Sequence, residues 1–532
     1  MAARRFIRLA APLCLAAMAL PSRASMTPED SARFLGQATL GANWEEIHRT
    51  ATLGRASWLD EQFAKPVGRH RPFLDARSRL GLEVTAEHRR WSWWEQVMEG
   101  PDPLRQRVAL ALSEIFVVSD ANDAVGNNPI GLADYYDMLL DRAFGNYRDL
   151  LLDVTLHPVM GAYLSHLRNE RSNPAAGRYP DENYAREIMQ LFSIGLFQLN
   201  ADGTLKLDGA GRPMPTYDND DITEFAKIFT GLSFASPSRD FRRGTEVWTE
   251  PMRMHDEFHE PGPKRLLRGK YVPAGQTGMK DVNDAIDNLF QHPNVGPFLS
   301  RRLIQRLVTS NPSPEYIGRV AAVFADDGAG VRGNLKAVVR AILLDPEAAT
   351  PPGSSDVARG RLQESFLRRV HLARAFDARS PAAEYRISDP GAPVAFGQRP
   401  LSSPTVFNFF LPDHQPTGEI ADAGIVAPEF QIVTAVTAIT SANDLRSQVD
   451  GVMNRDDDEV FEVRLDLSDE IATASDARQL VDRLDLLLMH GEMSAAMRGI
   501  LVGALERLDD PASRARLAVH LIALSPEYNV SK

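Results

Sequence analysis

The sequence predicts a mainly α-helical protein: a multi-helix, orthogonal or bundle-like body with one small β-hairpin and one further short strand. Three observations predict it. Apolar residues recur at helical spacing along most of the 532 residues. Period-two alternation is confined to two short places. The composition, 44% apolar and 24% charged, is that of a globular chain long enough to bury a large core, with a soft expectation of about three to four domain-sized units.

Taken in order, the chain begins Met-Ala-Ala-Arg-Arg-Phe-Ile-Arg, continues with an apolar run from Leu9 to Leu20, and then reads Pro21-Ser22-Arg23-Ala24-Ser25. These are the charged, apolar and small-residue parts of an export signal, with cleavage expected after Ala24. The run is about 12 residues long, short of the about 20 that a bilayer core requires. The expected divisions are therefore a signal peptide at 1–24, a helical main domain at 25–350 and a helical C-terminal part at 351–532 packed on it. No later segment is long and apolar enough to span a membrane. Cys14, the only cysteine, lies inside the signal, and Leu13 before it argues against lipidation. A mature chain without cysteine holds no disulfide and no thiolate ligand. The formal charge is −12, and loss of Arg4, Arg5, Arg8 and Arg23 with the signal makes it more acidic still. Such a surface repels phosphate backbones, so nucleic acid is not an expected partner.

Leu104, Val108, Leu112 and Ile115 form one helical stripe; Ile222, Phe225, Ala226 and Phe229 form another; Phe298, Leu299, Leu303, Ile304 and Leu307 form a third. The hairpin is expected at Phe197-Gln198-Leu199 and Leu205-Lys206-Leu207, joined by Asn200-Ala201-Asp202-Gly203. The further strand is expected where Phe461, Val463, Leu465 and Leu467 alternate with charged residues, after a solvated acidic run at Asp456–Glu459. Ala349-Thr-Pro-Pro-Gly-Ser-Ser355 reads as a linker. A weak internal echo joins "RAILLDPEA" at 340–348 to "HLIALSPEY" at 520–528, where helix punctuation accounts for the match at least as well as duplication does.

Three polar patches stand out. In "RYPDENYAREIMQLFSIGL", Asp181 caps a helix start, Glu182 and Arg186 are spaced as a surface pair, Asn183 lies on the polar face, and Glu187 sits at the border of the apolar stripe, where a carboxylate needs a partner. Tyr217-Asp218-Asn219-Asp220-Asp221 leads into the second stripe, with Asp221 suited to capping. "HDEFHEPGPK" at 255–264 sets His255 and His259 four apart among acids, a spacing that suits metal ligation on a helix; Pro251, Pro261 and Pro263 point instead to a loop with exposed histidines. Phe192-Ser193-Ile194-Gly195 lacks the first glycine of a nucleophile elbow, and a calcium loop around Asp202-Gly203 is rejected because Gln198 falls at its first ligand position and Gly209 where a bidentate glutamate belongs. Trp91, Trp93 and Trp94 suit packing better than a sugar platform.

These stretches, with "RFLGQATLGANWEEI", "PLRQRVALALSEIFVVSD", "HPNVGPFLSRRLIQRLVTSNPSP", "SPTVFNFFLPDHQPTG" and "APEFQ", resemble the bacterial family catalogued as domain of unknown function 1800, from about residue 30 to the C-terminus. The resemblance implies an exported helical protein, and as partner an exported protein of the alkaline phosphatase and sulfatase type, often encoded beside it. The family's Asn-Glu-Asn-Tyr-Ala-Arg-Glu falls on Asp181 to Glu187, with Asp181 for asparagine. The Glu-Leu-His that often follows is Gln190-Leu191-Phe192 here. The family's His-Asp-x-Gly-x-Lys falls on His259-Glu260-Pro261-Gly262-Pro263-Lys264.

The resemblance adds to the residue reading a shared polar centre of Glu187, Asp221, His259 and Lys264, with Glu182, Asn183, Arg186 and Glu260 as binding residues. Two functions follow as expectations. One is a binding or accessory protein for an exported partner. The other is a metal-assisted or acid–base hydrolase in which a divalent metal is the cofactor, Glu187 or Asp221 the base or ligand, and His259 the proton carrier.

Overall fold

The computed structural model describes residues 25–351, 358–389 and 391–531. The expected signal at 1–24 and most of the expected linker lie outside them. Among the described residues are 26 α-helices and three two-stranded antiparallel sheets, so the chain is mainly α.

The helix starts follow local chemistry. Thr27 caps Pro28–Ala38, its hydroxyl accepting from the Asp30 amide at 3.1 Å, with proline in the first turn where no amide partner is needed. This N-terminal helix packs on Trp44–Leu53 and Pro103–Ser113 and also on Ala477–Met489 near the other end of the chain. One continuous cluster of buried apolar side chains runs from Ala32 to Tyr528, so both expected parts share a core. The Arg361–Leu362 strand, just after the expected linker, pairs with Val530–Ser531 and ties the C-terminal end back to that point.

Pro103–Ser113 differs from its one-sided expectation. Every residue from Leu104 to Ser113 is buried, so this helix runs through the middle of the core, and Arg105, Gln106 and Arg107 on its other faces are buried with it. Trp93 and Trp94 are core residues, and the Trp94 indole donates to Asp389 at 2.7 Å.

The hairpin is present as a meander of three legs. Leu199 bridges Leu205, and a third leg at 213–216 joins through Phe197–Pro215 and Leu207–Pro213 bridges. Gly203 supplies the positive φ of +79° that the turn needs. The expected strand at 461–467 reduces to one bridge, Arg464 with Arg379, and Glu459–Phe461 is a single 3-10 turn.

The echo at 340–348 and 520–528 extends into a repeated hydrogen-bond pattern. In the first copy Ser313 caps Pro314–Ala325, and Glu347 from the short helix Pro346–Ala349 accepts from the Ser313 amide at 3.0 Å and from its hydroxyl. In the second copy Ser494 caps Ala495–Leu505, and Glu527 from Pro526–Asn529 accepts from the Ser494 amide at 2.9 Å and its hydroxyl at 2.6 Å. Helix punctuation alone does not require a distant glutamate to clamp the cap in both places.

Candidate functional site

The signature helix runs Asn183–Gln190, and Asp181 accepts from the Asn183 amide at 2.8 Å. Glu182 and Arg186 form the expected loose pair at 3.8 Å, each about two-fifths exposed, while the Thr223 hydroxyl donates to Glu182 at 2.8 Å from the neighbouring helix Asn219–Ile228. Asn183 faces solvent. Asp221 forms a reciprocal capping box with Asp218, at 3.0 and 3.1 Å. Glu187 is buried and its Oε2 has no hydrogen-bond partner among the described residues. Burial raises its carboxyl above the usual range, against the opposing charge of Arg186.

His259 and Lys264 meet at a third residue that the sequence reading did not select. His259 follows a single 3-10 turn, Asp256–Phe258, and Lys264 lies in a short strand paired with Tyr271–Val272. Asp281, in the first turn of Gly278–Phe290, is fully buried between them. The imidazole Nε2 lies 3.0 Å from Asp281 Oδ2 and 3.2 Å from Lys264 Nζ, and Nδ1 faces the Thr230 carbonyl at 2.9 Å. Lys264 also donates to Asp281 and to the Glu260 carbonyl. Burial pushes the Asp281 carboxyl up, but hydrogen bonds from His259, Lys264 and Gln276 outweigh it and hold the carboxyl below its usual range. Glu260 turns away to accept from the Ser172 amide at 3.1 Å and its hydroxyl at 2.6 Å.

The expected four-residue centre is thus reorganised. His259 and Lys264 come together around Asp281, whereas no hydrogen bond or ion pair joins them to Glu187 or Asp221 among the described residues. Asp281 escaped because an acid in a first helical turn looks like any dipole-favoured carboxylate. His255 and His259 are both buried, correcting the expectation of exposed loop histidines, because backbone bonds such as His255 N to Gly231 O at 2.8 Å fold the loop onto the body. Both nitrogens of His259 are occupied, and among the described residues no group of three or more His, Cys, Asp or Glu side chains is placed to hold a metal.

A cleft of about 330 Å³ opens elsewhere, in the size range of small-molecule sites. One wall is the end of the signature helix and the first leg of the meander, with Leu191, Ile194, Leu196 and Phe197; the other is the 406–412 segment, with Val406, Phe407 and Leu411. The helix Val295–Leu307 contributes Phe298, Arg301, Arg302 and Arg306, and Glu114 stands at the end of the central helix. Four of the stretches that carry the family resemblance therefore supply its lining. The lips are open: Leu196 is 48%, Phe197 42% and Phe407 44% exposed.

The cleft's charges are unevenly partnered. Arg306 Nε lies 3.1 Å from Glu114 Oε2, with its guanidinium over Phe410. Arg302 lies over the Phe298 ring at 5.1 Å, and neither Arg301 nor Arg302 forms a hydrogen bond or ion pair among the described residues. Burial and the neighbouring arginines bring Arg302 down to about 9, against the charge of Asp413. Beneath the floor, Gln398 donates to Glu114 at 3.1 Å and also to Glu364. Burial and the Glu364 charge push Glu114 up to about 8, against Arg306 and Arg107.

A family model, described as "Protein of unknown function (DUF1800)", matches residues 33–530, nearly the whole chain. The chain belongs to that family. No curated protein and no solved structure matches it.

Proposed function

We propose that this member of the family is an exported bacterial binding or accessory protein that works for an exported partner, and that its ligand site is the arginine-lined cleft. One observation carries the reading: a cleft of ligand size, with apolar walls and convergent guanidinium groups, is lined by four separate family stretches. The charged, apolar and small-residue pattern of residues 1–24 supports export, and no helix among the described residues is long and apolar enough to cross a membrane. The His259–Lys264–Asp281 group supports binding over hydrolysis, because a buried network whose three members lie within hydrogen-bond distance of one another serves as a clamp holding the loop to two helices.

The test is the fluorescence of N-phenyl-1-naphthylamine, an apolar dye that brightens on leaving water. Wild-type protein brightens it saturably, and Leu196→Asp or Phe407→Asp, both on exposed lips, removes most of the signal while thermal melting stays unchanged. A wild-type signal that both variants retain places the dye elsewhere and defeats the cleft as site. For the partner, an exported protein of the alkaline phosphatase and sulfatase type should co-purify in stoichiometric amount from the native envelope fraction; its absence counts against the accessory role.

One observation favours the rival reading, an acid–base or metal-assisted hydrolase: the buried, unpartnered Oε2 of Glu187. That reading requires Glu187→Gln to abolish turnover or metal retention in protein purified without chelator.

A further inference from the structure

We infer that the ligand of the cleft is a single-chain anionic amphiphile with a carboxylate head: the head rests on Arg301 and Arg302 and the hydrocarbon chain lies between Leu196, Phe197 and Phe407. This rests on the cleft being the binding site, and adds to it the chemical class of what binds.

The head group follows from charge. The protein is acidic, with a formal charge of −12, yet three arginines of one helix converge on this cleft. Arg306 lies against Glu114 Oε2 at 3.1 Å, but Arg301 and Arg302 are half-buried without a hydrogen-bonded acid among the described residues. Asp413 is the carboxylate that offsets them, and only through space. A partly desolvated guanidinium without an acceptor is costly, and a bound carboxylate supplies charge-assisted hydrogen bonds to it. Asp413 at the border favours a monoanion over a dianion, whose second charge would face it.

The tail follows from what the walls cannot offer. A bound peptide in extended form would need free backbone groups along a strand edge. The meander leg on the cleft wall has few to give. Asn294 donates to the Ile194 and Phe197 carbonyls at 2.9 and 2.8 Å and accepts from the Leu199 amide at 3.0 Å. Thr216 donates to the Leu196 carbonyl, and Gln198 is engaged through both its amide and its carbonyl. What remains toward the cleft is side-chain hydrocarbon, which suits an acyl chain that makes no hydrogen bonds of its own.

The experiment is calorimetric titration of the full chain with decanoate, decanol and an acetylated apolar tripeptide bearing a free C-terminal carboxylate, repeated with R301Q/R302Q. The expected result is saturable decanoate binding that displaces the naphthylamine dye, weakened about tenfold or more in the double variant, while decanol binds weakly and equally to both proteins. Decanoate and decanol binding alike, with no effect of the arginine change, overturns the head-group assignment and leaves the cleft as an apolar site. Failure of either to displace a dye that the lip variants abolish also overturns the acyl assignment alone; failure of the dye test itself removes the cleft reading. A tripeptide that binds more tightly than decanoate overturns the tail in favour of a peptide terminus. Should R301Q/R302Q fail to fold, the salt dependence of the wild type decides: decanoate affinity falls with added salt and decanol affinity does not, and equal salt responses overturn the proposal.

Discussion

Glu114 Oε2 lies 3.1 Å from Arg306 Nε at the floor of the cleft, and both side chains are buried. On its other oxygen Glu114 accepts from Gln398, which also donates to Glu364, so two buried carboxyls share one amide. Such a pair does not hold two negative charges cheaply, and Glu114 is the member that keeps its proton.

That proton gives a pH dependence. Glu114 titrates near 4.5 when unfolded and near 8 when folded, so between those values folding takes up a proton. Stability contributed by this group is present in full below about 4.5, falls as pH rises through the window, and levels off above about 8. Glu114→Gln removes up to about 1.4 kcal/mol per pH unit of that slope. Urea midpoints from pH 5 to 9 for both proteins check it; identical slopes contradict it.

Lys264→Met leaves a buried Asp281 carboxylate and His259 without their cation. The expected cost is about 3–5 kcal/mol at pH 7 by urea denaturation, the range for breaking a buried pair. Because Asp281 is held below its usual range, the stability it contributes is present above about 3.8 and lost as pH falls through the lowered folded value. A cost under about 1 kcal/mol contradicts the clamp.

Glu187→Gln makes the opposite change. The folded carboxyl is raised, so the wild type loses stability as pH rises above about 4.5, and a neutral amide does not. Melting at pH 8 is expected to be unchanged or higher in the variant. A clear drop shows that the carboxylate is used as an acceptor, as the hydrolase reading requires.

The repeated clamps predict equal sensitivity at two distant places. Ser313→Ala and Ser494→Ala each lose a cap and a clamped glutamate, at about 1–2 kcal/mol. If only one of the two costs stability, the second clamp contributes nothing.

The helical body was readable because its apolar stripes, such as Ile222 to Phe229, are local and periodic. The burial of every face of Pro103–Ser113 was not, since Arg105, Gln106 and Arg107 break the apolar pattern and are buried only because Leu140, Gly68 and Arg306 supply carbonyl acceptors from elsewhere in the chain. His259 and Lys264 were found through their motif. Asp281 was missed because its partners lie 17 and 22 residues back and nothing in "GMKDVNDAID" marks it among neighbouring acids. The cleft was out of reach for the same reason: its walls come from stretches near residues 114, 194, 302 and 407, which only the fold brings together.

Photolabelling with a decyl probe carrying a diazirine, followed by mapping of modified peptides by mass spectrometry, tests the cleft most directly. Saturable labelling concentrated at 191–199, 298–306 and 406–412, suppressed by excess decanoate, is the expected result. Labelling that falls outside those three segments, or that excess decanoate leaves unchanged, contradicts it.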